Sequence, residues 1–290
     1  MMSVAGKQMC SYRDLYKSGE TRLKAAGIAE SSLDARLLLE FVMGTDRNYL
    51  LAHGEEPVDS FHIRAYEELI ELRAAHTPLQ YLTGVQEFMG LIFAVDERVL
   101  IPRQDTECLV EEAMIETADG MRVLDLCTGS GCIIISLMKY KNEIAATAVD
   151  ISPDALAVAK KNADIHQVSV NFVESDLFAG LPVSETALFD VIVSNPPYIK
   201  TAVIETLSGE VKEHEPRLAL DAADDGLYFY RKIISAAGEY LVRGGKLLFE
   251  IGYDQGKQVC KLMEEHGFAD IRTVKDLAGL DRVVCGTYRK

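Results

Sequence analysis

The chain has 290 residues, 48% of them hydrophobic and 26% charged, with 45 acidic against 30 basic side chains and a formal net charge of -15. This excludes a disordered chain, and the length fits a catalytic-sized domain with a smaller companion. The acidic balance opposes nonspecific attraction to a polyphosphate, no apolar run reaches membrane-spanning length, and the N-terminal "MMSVAGKQMCSYRDLYKSGE" lacks a signal-peptide stretch, so a cytoplasmic protein is expected.

Up to about residue 84, apolar residues recur at helical spacing. Leu33, Leu37, Leu38 and Phe41 form one stripe, with Ser31 or Ser32 as its cap and Gly44 as its stop. Ile63, Tyr66 and Ile70 form another, which ends at His76-Thr77-Pro78. Residues 1–84 are therefore expected to form a small helical domain. "GVQEFMGLIFAVDERVLI" has short β-type runs on either side of Met89-Gly90 and predicts a β-hairpin connector over 85–102. "PRQDTE" follows, and Cys108 to Met114 reads as helix. The run Glu67, Glu68, Glu71 marks a solvated helix face.

From residue 121 strand and helix signals alternate. "MRVLDL", "IAATAVD", "VNFVESD", "FDVIVS" and "GGKLLFEIG" read as strands. "GCIIISLMKY", "SPDALAVAKKNA" and "GLYFYRKIISAAGEYL" read as helices, the second with Ser152 as cap and Pro153 in its first turn. Residues 103–290 are thus expected to form an α/β domain, a doubly wound and mostly parallel sheet of Rossmann-like type. Ligands of such sheets bind outside the carboxyl ends of the strands.

Those strand ends supply the candidate residues. After Asp125, the run Cys127, Thr128, Gly129, Ser130, Gly131 lets the backbone turn sharply and approach a ligand. It has no third glycine of a dinucleotide fingerprint and no P-loop lysine, and a structural turn would explain it equally. Asp150 ends the next strand, where a carboxylate can accept both hydroxyls of a ribose or cap the helix after it. Asp176 and Leu177 follow the third strand, suited to an adenine amino group and ring face. Three such ends in succession suit a nucleoside without a diphosphate, such as S-adenosylmethionine. The six cysteines, Cys10, Cys108, Cys127, Cys132, Cys260 and Cys285, show no zinc spacing and read as reduced thiols, so no metal is expected.

"DLCTGSG", "AVDISPDAL", "ESDLF" and "SNPPYI" resemble the class I S-adenosylmethionine-dependent methyltransferases that carry an Asn-Pro-Pro-Tyr signature. More narrowly, "TPLQYLTG", "VLIPRQDTE", "VKEHEPRLALDAADDGL", "LFEIGYDQG" and "VKDLAGLDRVV" resemble the HemK/PrmC family, which methylates a glutamine of peptide chain release factors. The likeness spans 76 to 285, and the preceding helices suit that family's N-terminal domain. Two departures stand out: Cys127 where a glycine is common, and Gln104 where a second proline is common.

The resemblance implies transfer of a methyl group from S-adenosylmethionine to the side-chain nitrogen of the glutamine in a Gly-Gly-Gln loop, with S-adenosylhomocysteine as the product. That amide nitrogen is a poor nucleophile because its lone pair is conjugated. The side-chain oxygen of Asn195 and the carbonyl of Pro196 are placed to accept its two N–H groups and free the lone pair. Pro196 and Pro197 would hold the corner rigid, and Tyr198 would stack on the amide and exclude water. Asn195 also lies near the expected sulfonium, residues 1–84 would recognise a second region of the release factor, and a monomer is expected.

Other residues carry less. His214, in "EHEPRL", reads as a solvated side chain. Glu215-Pro216-Arg217 reads equally as a substrate lid or a salt-bridged loop, and Arg103 as an anchor for the connector. The alternative function is N6 methylation of adenine in nucleic acid, for which Asn-Pro-Pro-Tyr would serve as well. That chemistry calls for a basic track, which this sequence lacks. A nicotinamide-dependent oxidoreductase is opposed by the missing third glycine, and a silent nucleoside-binding module leaves Asn195 without a role.

Overall fold

A computed structural model of the protein describes residues 10–184 and 188–289. Close contacts divide the chain into two compact units, Met1–Gly84 with Gly209–His214, and Val85–Ser208 with Glu215–Lys290.

The first unit is helical: α1 (Tyr12–Ala25), α2 (Ser31–Met43), α3 (Arg47–Ala52), α4 (Ser60–Ala74) and α5 (Leu79–Thr83). A reciprocal capping box between Ser11 and Asp14 starts α1. The cap expected for α2 is not formed. Glu30 is the N-cap and makes no side-chain hydrogen bond, Ser31 is already helical, and Ser32 Oγ pairs with Tyr16 Oη at 2.7 Å. Gly44 does end α2, at a φ of 60°. Leu38 faces the core as expected, but Leu33 and Phe41 are 40% and 50% exposed, and Ala35 and Leu39 complete the inward stripe. They meet Leu15, Leu23, Tyr66 and Ile70 in one apolar cluster. A buried ion pair crosses its edge, with Arg73 Nε on Asp34 Oδ2 at 2.7 Å.

The second unit opens with a hairpin, β1 (Val85–Phe88) and β2 (Leu91–Ala94), paired antiparallel. Met89 and Gly90 between them have φ of 52° and 68°, the doubly left-handed turn that matches strand twist in a two-residue hairpin. Then come α6 (Gln104–Glu116), β3 (Arg122–Leu126), α7 (Cys132–Tyr140), β4 (Ala145–Asp150), α8 (Pro153–His166), β5 (Asn171–Glu174) and β6 (Phe189–Ser194). Next are α9 (Thr201–Ile204) and α10 (Gly209–His214), the latter counted with the first unit. Finally there are α11 (Tyr228–Ala237), β7 (Leu241–Glu250), α12 (Gly256–Glu265), β8 (Phe268–Lys275) and β9 (Asp281–Tyr288).

Strands β3 to β9 form one sheet in the order β5-β4-β3-β6-β7-β9-β8, separate from the hairpin. The first five run parallel, and β9 and β8 are antiparallel additions. Successive strand residues face opposite sides of the sheet. Leu124, Ile192 and Phe249 thus pack with Tyr230 and Ile233 of α11 and Met263 of α12. Val123, Val193 and Leu248 pack with Leu109 of α6, Ile134 of α7 and Phe93 of the hairpin. Burial on both faces explains why these strands read as unbroken apolar runs.

One glycine of the helical unit sets up a conflict of two effects. Alanine in place of Gly19, inside α1, would gain up to about 1 kcal/mol of helix propensity. Its Cβ, however, would collide with the Tyr66 hydroxyl and lie 2.9 Å from Tyr66 Cζ and 3.0 Å from Ile70 Cδ1. Tyr66 cannot easily yield, because it is 1% exposed and its hydroxyl donates to Ala35 O at 3.1 Å. Overpacking of about 1 to 3 kcal/mol should win. Gly19→Ala is expected to lower the urea midpoint of the helical unit, and an equal or higher midpoint would show that Tyr66 moves freely.

Candidate active site

The order of strands reverses between β3 and β6: the chain builds outward to β4 and β5 on one side and to β7 on the other. Such a switch point leaves a crevice at the carboxyl ends. Leu126 of β3 pairs with Ser194 of β6, and Ser194 Oγ donates to Leu126 O at 2.8 Å. The loops that begin at Cys127 and Asn195 therefore leave the sheet side by side. A cavity of about 280 Å³ opens there. Among its walls are Cys127, Thr128, Gly129, Ser130, Asp150, Asp176, Leu177, Asn195 and Pro197; Gly131, Pro196 and Tyr198 lie outside that lining.

The glycine loop turns through three left-handed residues, Cys127 at φ 60°, Gly129 at 54° and Gly131 at 80°. Cys127 thus holds a conformation that glycine adopts freely, at a cost of about 1 to 2 kcal/mol. Around Gly129 a Cβ would meet nothing within 4 Å, so that stretch of backbone is open to a ligand. The loop is held from behind by buried Asn162 of α8. Its Nδ2 donates to Ser130 O at 2.9 Å and Ala94 O at 3.0 Å, and its Oδ1 accepts from Ala94 N at 2.7 Å.

Two carboxylates stand under this loop. Asp125 is fully buried, and its Oδ2 accepts from Thr128 Oγ1 at 2.6 Å. Burial pushes its carboxyl up to about 7 despite that bond, and the neighbouring Asp150 adds to the shift. Asp150 is held by the main chain, Oδ2 accepting from Gly129 N and Oδ1 from Ser152 N, each at 2.9 Å. Burial raises its pKa while those amides pull it down. Ser152, not Asp150, caps α8, accepting from Ala155 N. On the far wall Asp176 is exposed and lies 3.5 Å from Lys232 Nζ, which in turn sits over the Tyr228 ring.

The Asn195 corner is anchored from one side. Asn195 Nδ2 donates to Thr106 Oγ1 at 3.3 Å, from the first turn of α6. Among the described residues no hydrogen bond engages Asn195 Oδ1 or the Pro196 carbonyl. Tyr198 does not stand free in the cavity: its hydroxyl donates to Glu250 Oε1 at 3.1 Å, and Gln255 Nε2 donates to its carbonyl at 3.0 Å.

Sequence reasoning missed one wall, Arg98, Val99, Leu100 and Pro102 beside Arg103, and left the other open: Pro216, in the stretch read equally as a lid or a loop, lines the cavity with Leu218 and Ala219. They are tied together by an ion pair between Arg103 and the buried Glu215, so Arg103 is an anchor and a cavity wall at once. Arg217 is exposed and pairs with Asp221 at 3.3 Å. His214 is not a solvated loop residue: it ends α10, with Nε2 buried. Thr106 and Glu250 were also overlooked, although an acid closing an apolar strand was the same signal that singled out Asp150. Among the described residues no group of three or more His, Cys, Asp or Glu side chains is placed to hold a metal ion. Nor is any described helix long and apolar enough to cross a membrane.

A crevice at this switch point with a glycine loop, a strand-end acid and an Asn-Pro-Pro-Tyr corner defines a class I methyltransferase. A methyltransferase from Pyrococcus furiosus has the same fold, with a TM-score of 0.52 at 16% identity over 70% of this chain and 91% of that one. The methyltransferase small domain family matches residues 104–211, and the PrmC N-terminal domain family matches residues 14–84. The release factor glutamine methyltransferase of Geobacter sulfurreducens is 44% identical over 264 residues, 91% of this chain and 92% of its own. That of Clostridium botulinum is 41% identical over 276 residues, 94% and 97% of the two chains. The chain belongs to the release factor glutamine methyltransferase family.

The elevated Asp125 carboxyl has a consequence for stability. Unfolded, an aspartate titrates near 3.9; folded, Asp125 titrates at about 7. Between those values the folded protein keeps a proton that the unfolded chain has released, so this group's contribution to stability falls as pH rises through the window and is level above it. Asp125→Asn removes the penalty, on the order of 4 kcal/mol at most. Urea midpoints should separate in favour of the variant from pH 4 to 7 and stay apart at pH 8; parallel pH dependences would refute the assignment.

Proposed function

We propose that this protein transfers a methyl group from S-adenosylmethionine to the side-chain amide nitrogen of the glutamine in the Gly-Gly-Gln motif of peptide chain release factors. The observation that carries the chemistry is the one-sided anchoring of Asn195, whose Nδ2 donates to Thr106 while, among the described residues, Oδ1 and the neighbouring Pro196 carbonyl have no hydrogen bond. Those are two acceptors for the two hydrogens of a primary amide.

The residues present fit the methyl donor. Gly129 leaves room where any Cβ would stand, and Leu177 and Ile151 offer apolar cover at the cavity wall. Each oxygen of Asp150 has one amide donor, which fixes the carboxylate and leaves a second lone pair on each for a ribose hydroxyl. Asp176 would accept from the adenine amino group. When bound, S-adenosylmethionine supplies a methyl group activated by a sulfonium.

The chain's own contribution is orientation. Asn195 Oδ1 and Pro196 O accept the two amide hydrogens and draw the nitrogen out of conjugation, so that its lone pair is free for the methyl carbon. Pro196 and Pro197 stiffen the corner, and Tyr198, pinned by Glu250, flanks it. No strong base is required, because the methylated nitrogen loses one of its hydrogens to water once the lone pair is committed. Holding the two reactants in register has a ceiling of about 7 to 11 kcal/mol of barrier lowering.

We assign residues 1–84 to recognition of the release factor, 85–102 to a connector and 103–290 to the chemistry, in the cytoplasm where translation takes place. A second point of attachment raises the effective concentration of the Gly-Gly-Gln tip, so a short Gly-Gly-Gln peptide is expected to be a much poorer substrate than the whole factor.

The direct test is incubation with S-adenosylmethionine and a bacterial release factor, followed by mass spectrometry. The methyl group should appear on the glutamine side chain of the Gly-Gly-Gln loop, and methylation of duplex DNA at adenine with the factor untouched would replace this function by the other. Asp150→Ala should weaken S-adenosylmethionine by about 10- to 150-fold, the loss of a charge-assisted hydrogen bond; unchanged affinity by calorimetry would remove Asp150 from the ribose. Asn195→Ala should lose about 100-fold or more in kcat with far less change in cofactor affinity, since its oxygen acts in the transition state.

A further inference from the structure

Glu250 has no part in the chemistry described so far, yet it sits beside it. Because Ser194 of β6 pairs with Phe249 of β7, the next residues along the two strands, Asn195 and Glu250, are neighbours at the carboxyl edge. Glu250 is 1% exposed. An acid so buried is costly unless its oxygens are bonded. Oε1 accepts from Tyr198 Oη at 3.1 Å, whereas Oε2 is buried with no well-formed hydrogen bond. Arg282 is near but is engaged elsewhere, 3.0 Å from both Asp105 and Asp276. Among the described residues the hydroxyl of Thr106, 3% exposed, also stands near this carboxyl, and it is the group that accepts from Asn195 Nδ2.

A hydroxyl has one hydrogen and two lone pairs. If the Thr106 hydrogen points to Glu250, only lone pairs face Asn195, and lone pairs can hold that amide by Nδ2 alone. Flipping the amide would press Oδ1 against them. The direction of one hydroxyl hydrogen then decides whether Asn195 presents an acceptor or a donor to the target nitrogen.

Building on the proposed role of Asn195, we propose that Glu250 is a positioning residue: it orders the Thr106 hydroxyl as a donor toward itself, which locks the Asn195 amide with Oδ1 toward the substrate. Its other oxygen fixes Tyr198, so one buried carboxylate sets two members of the Asn-Pro-Pro-Tyr corner.

The test compares stability, cofactor affinity and kcat on the release factor. Glu250→Met removes the acceptor and leaves Thr106 free to donate to Asn195 Oδ1. It should lower kcat about 10-fold or more with cofactor affinity within about 3-fold, and its stability reads the balance between a buried acid removed and a Tyr198 hydroxyl left without its acceptor. Glu250→Gln keeps a carbonyl that can accept from Thr106, and it should retain kcat within about 3-fold. Thr106→Val should lower kcat about 10-fold, Thr106→Ser should restore it, and the double variant Glu250→Met/Thr106→Val should be no worse than Glu250→Met alone, which already forfeits both the ordering of Thr106 and the bond to Tyr198. Wild-type kcat in Thr106→Val or Glu250→Met, a Glu250→Gln as impaired as Glu250→Met, or multiplicative losses in the double variant would each overturn the relay. The Thr106 pair decides the matter should Glu250→Met not fold. Full activity in Asn195→Ala would sink both the relay and the role of Asn195, whereas an inactive Asn195→Ala beside a fully active Thr106→Val would sink the relay alone.

Discussion

The parallel pairing of β3 with β6 is the constraint on which the site depends. Both strands are buried on both faces, so a slip of one residue would turn every apolar side chain of β6 to the wrong layer. The register Leu126 with Ser194 is held by that burial and by the Ser194 hydroxyl on the Leu126 carbonyl. One residue beyond it, the two strands have different fates. At Cys127 the chain turns left-handed into the glycine loop; at Asn195 two prolines without amide hydrogens end the ladder. The crevice between them follows from that divergence, and so does the proximity of the glycine loop to the Asn-Pro-Pro-Tyr corner.

The same edge of the sheet gathers three acids, and each is held differently. Asp125 is deepest, and the hydrogen bond from the Thr128 hydroxyl does not offset its burial, which raises it far enough to hold a proton near neutrality. Asp150 takes two backbone amides, which pull its pKa down against the larger upward push of burial. Glu250 is bonded to Tyr198 and faced by Thr106. The low dielectric that makes these groups costly also strengthens the bonds they do make. Side chains so placed are rigid, and rigidity is what an orienting site needs.

What could be read in the sequence was whatever acts locally. Apolar runs marked the parallel strands, Ser152-Pro153 marked the start of α8, and Asn195-Pro196-Pro197-Tyr198 marked a strand that stops abruptly. The antiparallel strands β8 and β9 were not recognised as strands: β8 mixes polar residues into its run and β9 carries Arg282 and Gly286. The stripe assigned to α2 was off by a fraction of a turn, because Leu33 and Phe41 satisfy the same spacing as the residues that are in fact buried. Thr106 had no signal at all. It lies in the first turn of a helix 89 residues before Asn195, and its importance exists only once the fold brings the two together.

Cys127 and Leu177 show how the walls of the cavity are made from strained turns. Both are left-handed, at φ of 60° and 52°, where glycine would be relaxed. Each costs about 1 to 2 kcal/mol of backbone energy, a sizeable fraction of the stability of an ordinary domain. Glycine would remove the strain at Leu177 but also the side chain, which is 8% exposed and part of the large core cluster; Cys127 packs against the same cluster. Burial of a leucine side chain contributes about 1.5 to 3 kcal/mol, enough to offset the strain. The balance differs at Cys127, whose smaller side chain contributes less. A turn that must be left-handed is thus dictated by the site, and whether a side chain is tolerated there depends on how much apolar surface that side chain can bury.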